Sequence, residues 1–109
     1  MISGGNVRIV MVTCASLIEG RRIAKSLVRK RLAACVSIVL GPVQSIYRWK
    51  DKIETAREHI LLIKTYEKFL TKLEQEVLRW HSYEVPEFLV LPVAAGSKSY
   101  LDWLSGSLK

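Results

Sequence analysis

Ala33-Ala34-Cys35-Val36-Ser37-Ile38-Val39-Leu40-Gly41-Pro42-Val43-Gln44-Ser45-Ile46-Tyr47-Arg48-Trp49, followed by the polar Lys50-Asp51-Lys52 and the run Ile53 to Thr65, decides the fold. Each arm is rich in Val, Ile and Leu and is bounded by turn residues, so the pair reads as one extended β-hairpin. The first arm is expected to be a single long strand bent at Gly41-Pro42, because proline cannot donate to a ladder and is confined to edges or bulges. A ribbon this long projects beyond any core that a chain of 109 residues can build.

Upstream, Val7 to Thr13 is an apolar run interrupted only by Arg8, which suits a buried strand. Ser16-Leu17-Ile18-Glu19 has capping-box spacing, in which the Ser hydroxyl and the Glu carboxylate each satisfy a free backbone N–H. The predicted helix that follows carries Ile23, Ala24, Leu27 and Val28 on one stripe and ends near Lys30. Downstream, Phe69, Leu70, Leu73, Val77 and Trp80 recur at helical spacing between Tyr66 and Trp80, Glu87 to Val93 reads as a strand, and Ser99 to about Leu104 as a last helix. The order is β-α-β-β-α-β plus a C-terminal helix, an α+β, ferredoxin-like sandwich with two helices on one sheet face. Residues 1–6 and 106–109 are expected to be flexible tails around one domain spanning 7–105. The uncovered sheet face and the unpaired hairpin edges predict self-association in a closed symmetric ring.

Composition bounds the function. No apolar stretch approaches the roughly 18 residues that a membrane helix needs, and the first residues do not read as a secretory signal, so a cytoplasmic address without membrane contact is expected. Cys14 and Cys35 lie in no metal or redox spacing and read as free thiols. The net charge is +7, and Arg21, Arg22, Lys25, Arg29, Lys30 and Arg31 cluster on the first helix and its exit. Those residues read first as a solvated helix face, with a nucleic-acid or phosphate footprint as the weaker reading. An RNA-recognition domain shares the element order but needs exposed aromatics on its central strands, and Val7 to Thr13 and Ile60 to Lys64 have none, so nucleic acid is disfavoured as a partner. A scaffold or anchor for another protein is a further alternative. No nucleophile elbow, phosphate loop or activated cysteine is present, so no enzyme is expected.

For metal binding the available donors are His81, Glu84, Glu87, Glu58, His59 and the two cysteines, with His81 first because carboxylates lie close to it. With mixed nitrogen and oxygen ligands, copper should be preferred over zinc, and no metal should be required for folding. Tyr47, Trp49, Tyr83, Tyr100 and Trp103, with Lys64 and Glu58 as charges, could line a ligand pocket between subunits or pack the interface.

Arg31-Leu32-Ala33-Ala34-Cys35-Val36, Ser45-Ile46-Tyr47-Arg48-Trp49, Leu62-Ile63-Lys64-Thr65, His81-Ser82-Tyr83-Glu84-Val85-Pro86-Glu87 and Tyr100-Leu101-Asp102-Trp103 together resemble the CutA divalent-cation tolerance family. The resemblance implies a homotrimer joined through the long hairpin strands, similar to PII-type signal proteins, and an association with tolerance of divalent metals, notably copper. The chain departs from the family pattern at Ala15-Ser16-Leu17-Ile18-Glu19-Gly20, where an acidic loop is common, and at Ser82, where a proline is common. Relatives with proposed copper ligands have paired histidines and a first-strand cysteine. Here Trp80 and Val12 occupy two of those positions, with Cys14 two residues from the second, so that set does not carry over complete. The expected metal group is His81, Glu84, Glu87 and Cys14.

Overall fold

A computed structural model describes all 109 residues. The elements are β1 (Ile2–Ser3), β2 (Val7–Cys14), α1 (Leu17–Arg29), β3 (Cys35–Ile38), β4 (Val43–Trp49), β5 (Lys52–Tyr66), a 3-10 turn (Glu67–Phe69) entering α2 (Leu70–Trp80), β6 (Leu89–Pro92), β7 (Ala95–Gly96) and α3 (Lys98–Ser107). The main sheet runs β3-β5-β2-β6, with β4 paired to the distal half of β5 and every pairing antiparallel. The β4–β5 ribbon draws the molecule out to 45 × 25 × 25 Å.

Strand alternation explains where the core sits. Val10, Val12 and Cys14 of β2 and Leu61 and Ile63 of β5 point to one face, where Ile23 and Leu27 of α1 and Leu73 and Val77 of α2 meet them, all fully buried. The opposite face carries Ile9, Met11, Ile60, Leu62, Leu89 and Leu91, each half-buried or exposed, so the expected uncovered apolar face is present. A smaller cluster of Val7, Leu101, Leu104 and Leu108 seats α3 at one end of the sheet.

The structure corrects the sequence reading in several places. The single bent strand is two strands: Ile38 pairs with Leu61 and Val43 with Glu58, so five steps on one arm run against three on the other. The surplus residues surround Gly41-Pro42, although the Val39 N–H still donates to the Ile60 carbonyl at 2.9 Å. Parts of both expected tails form regular structure. Ile2–Ser3 pairs with Ala95–Gly96, and at the other end α3 continues to Ser107 with Leu108 buried behind it. Gly4 makes the first contact feasible, because a Cβ there would come within 1.9 Å of the Val93 carbonyl oxygen. Tyr66 belongs to β5, the helix begins through the 3-10 turn, and the strand expected over Glu87 to Val93 contracts to Leu89–Pro92. The capping box forms on one side only: Ser16 Oγ accepts from the Glu19 N–H at 3.2 Å, while the Glu19 carboxylate reaches past Ser16 to the Ala15 N–H.

Helices α1 and α2 are tied by Glu76, whose buried carboxylate accepts from Lys30 Nζ at 2.8 Å, from Trp80 Nε1 at 3.0 Å and from the Ser26 hydroxyl. The Lys30 and Ser26 contacts hold its carboxyl down at about 2. A lowered acid stabilises the fold above its ordinary pKa and loses that contribution as pH falls toward the folded value. Because Lys30 is half-exposed, the contribution is discounted to about 2 kcal/mol. Glu76→Gln should therefore lower the urea midpoint at pH 7, and the gap from the unaltered chain should close as pH falls from about 4.5 toward 2.

Candidate functional site

Four segments converge beyond the end of β2: the Thr13-Cys14 strand end, the start of α1, the loop that leaves α2, and the base of the β4–β5 ribbon. His81 ends α2, its N–H donating to the Val77 carbonyl at 3.0 Å. Its ring is fully engaged. Nδ1 accepts from the Tyr83 N–H at 3.1 Å, so the ring proton sits on Nε2, which donates to the Thr13 carbonyl at 2.7 Å. Glu19 is engaged as well, one oxygen accepting from the Ala15 N–H at 3.3 Å and the other from the Ser82 N–H. The two side chains thus lock strand end, helix start and loop together.

Cys14, Glu19 and His81 present one donor atom each within 4.8 Å of one another, the arrangement closest to a metal cluster in the chain. As folded, each of its donors is protonated or already engaged. Burial, then the charges of Glu19 and Glu58, push the Cys14 thiol up to about 12, so it is protonated at neutral pH. Both His81 nitrogens and both Glu19 oxygens already hold partners. His81→Ala is expected to cost about 2 kcal/mol, because the Thr13 carbonyl and the loop lose their common partner. Thermal unfolding of the variant checks this, and a melting temperature equal to that of the unaltered chain would contradict it.

A cleft of about 710 Å³ opens next to this lock, on the sheet side that the helices leave free. Thr13, Ser45, Tyr47, Trp49, Glu58, Ser82, Tyr83, Glu84 and Glu87 line it together with Ile46 and Val85, and no lysine, arginine or histidine is among them. Glu58 is only 7% exposed and forms no ion pair, yet it faces this space. Burial, followed by the neighbouring Glu58 carboxylate, pushes the Tyr83 pKa far up. Burial, then the Glu58 charge, raises Glu87 above the ordinary glutamate value.

The expected site residues are therefore divided. Glu84 and Glu87 line the cleft while Cys14 and His81 form the lock behind it. Of the expected ligand-pocket residues, Tyr47, Trp49, Glu58 and Tyr83 are gathered in the cleft. Lys64, Tyr100 and Trp103 are not. Lys64 shares a sheet face with Glu58 but lies six residues along β5, about 20 Å away, where its Nζ meets the Ser37 hydroxyl and approaches Cys35 Sγ at 3.9 Å. Tyr100 and Trp103 stack on each other along α3 with ring centroids 5.5 Å apart. Glu19, Thr13, Ser45 and Ser82 were not foreseen; only Glu19 had a signal, its capping-box position.

The chain matches the pattern of the family described as CutA1 divalent ion tolerance protein over residues 8–107. It belongs to the CutA1 family. The divalent-cation tolerance protein CutA of Thermus thermophilus is 47% identical over 96 residues, which span 88% of this chain and 92% of that protein. The chloroplastic CutA protein of Arabidopsis thaliana is 41% identical over 101 residues, spanning 93% of this chain and 55% of that protein, so the chain covers about half the length of some curated CutA relatives. Among solved structures, the periplasmic divalent cation tolerance protein CutA of Archaeoglobus fulgidus superposes with a TM-score of 0.90 at 37% identity, covering 94% of this chain and 99% of that one. The family resemblance read from the sequence is thereby borne out, as is its α+β architecture.

Proposed function

We propose that this CutA1-family chain is a homotrimeric binding protein, not an enzyme, that takes a divalent cation in the cleft at the hairpin base. The observation that carries the reading is Glu58: a carboxylate more than nine-tenths buried, in a cleft with two further glutamates and no basic side chain, within a chain of net charge +7. Desolvated like charges repel, and a bound cation relieves both that repulsion and the desolvation. Carboxylate and hydroxyl oxygens suit a hard divalent ion, and the general affinity order places copper above zinc at such a set. Glu58, Glu84 and Glu87 would hold the ion.

The bare sheet face and the two-stranded ribbon support a trimer, and the sheet order β3-β5-β2-β6 supports a ferredoxin-like subunit in a PII-like assembly. A neighbouring copy would then close the open side of the cleft. Both cysteines are free, in keeping with a reducing, cytoplasmic setting. No helix is long and apolar enough to cross a membrane.

Light scattering on the purified chain, followed by calorimetric titration with copper and zinc at two pH values, tests the reading. A trimer that binds copper more tightly than zinc, and binds more weakly at the lower pH, supports it. A folded monomer, or a trimer that gives no binding heat with either metal, overturns it.

A further inference from the structure

We propose that the solvent face of α1 is a docking surface for the phosphate backbone of a nucleic-acid duplex. Arg21, Arg22, Lys25 and Arg29 are all exposed there, opposite the buried stripe of Gly20, Ile23, Ala24 and Leu27. None of the four forms an ion pair. The chain's ion pairs are Arg8 with Glu67, Lys30 and Arg79 with Glu76, and Lys98 with Asp102. No carboxylate of the helical layer pairs with the four. Glu19 is held by the Ala15 and Ser82 N–H groups, and Glu76 by Lys30, Ser26 and Trp80. Glu74 lies two positions from Glu76, about 200° round α2, and so on the side away from α1.

Two guanidinium groups extend the surface across the end of α2: Arg22 and Arg79 lie over the Trp80 ring at 5.7 and 5.2 Å. Stacking of this kind orients a planar guanidinium and leaves the N–H fork of Arg22 free for a phosphate, while Arg79 is engaged by Glu76 at 3.9 Å. From Arg22 to Arg29 the stripe is about 10 Å long, close to three base-pair steps of a duplex. Only Ile18 and Val28 protrude among these cations, too little hydrocarbon to enter a bilayer, which favours a polyphosphate over a lipid surface. The sheet face has no aromatic platform on β2 for stacking single-stranded bases, so duplex backbone contact is the mode that the surface fits. This face lies on the helical side and does not depend on the cation cleft.

The test is fluorescence anisotropy of a labelled mixed-sequence DNA duplex with the full chain at salt concentrations from about 50 to 200 mM. Four phosphate contacts predict a slope of log affinity against log salt of about −3.6, a loss of about a hundredfold across that range. Arg21→Gln/Lys25→Gln/Arg29→Gln, three exposed side chains that form no ion pair, should reduce the slope to about −0.9. Lys50→Gln/Lys52→Gln at the hairpin tip should leave it unchanged. The proposal is overturned if the duplex does not bind at the lowest salt, if the triple variant keeps the parental slope, or if anionic phosphatidylserine vesicles displace the duplex, which would identify a membrane surface instead.

Discussion

A chain carrying Ile46→Asp and Ile53→Asp is expected to sediment as a monomer at micromolar concentration, and the unaltered chain as the proposed trimer. Ile46 pairs across the ribbon with Thr55 and Ile53 with Arg48, so both isoleucines stand on the same face of the hairpin, 67% and 64% exposed in the single chain. Beyond Glu58 the ribbon is only two strands wide, and a two-stranded ribbon is marginal in water without a surface to pack on. Burying each isoleucine against a neighbour contributes about 2 kcal/mol, and aspartate both removes that gain and brings desolvated charge into the contact. Neither position touches the core, so the subunit should keep its fold. Analytical ultracentrifugation with circular dichroism measures both quantities. A variant that remains trimeric would remove the ribbon from the interface.

The second large effect belongs to the cleft. Glu58→Gln/Glu87→Gln is expected to weaken copper binding by at least tenfold, since about 1.4 kcal/mol per decade is readily exceeded by losing two carboxylate ligands in a desolvated space. The metal-free variant should be no less stable than its parent, because the burial and the Glu58 repulsion that raise Glu87 no longer act on a charge. Binding to the unaltered chain should weaken as pH falls, beginning above the ordinary glutamate range, because Glu87 takes up its competing proton early. Cys14→Ser provides the contrast. A thiol protonated at neutral pH and seated behind the cleft contributes little, so its loss should leave the isotherm unchanged; if instead Cys14→Ser abolishes binding while the glutamate pair is dispensable, the ion sits in the Cys14–Glu19–His81 lock.

Much of the architecture was legible before any coordinates. The stripe of Ile23, Ala24 and Leu27, the apolar Val7 to Thr13 run, the Ser16 cap and the paired arms around Lys50-Asp51 each carry a local period or turn signal that a side chain's direction obeys. The two-residue turn at Lys50-Asp51 lacks glycine, and both residues adopt left-handed backbone, with φ of 50° and 64°, so that the strands can twist together. The element order and the bare sheet face follow from those local patterns.

What the sequence by itself determined was therefore the kind and order of elements, their buried faces and the family to which the chain belongs. Only the tertiary structure decided that Glu58 of β5 meets Glu84 and Glu87 from a loop some 26 residues later while Lys64 of the same strand does not, that His81 has no free nitrogen, and that the arm before Lys50 breaks in two. The physical reason is register: periodicity sets which way a side chain points within its own element, but which residues of separate elements come to lie side by side depends on how strands slide against one another until the whole core is filled.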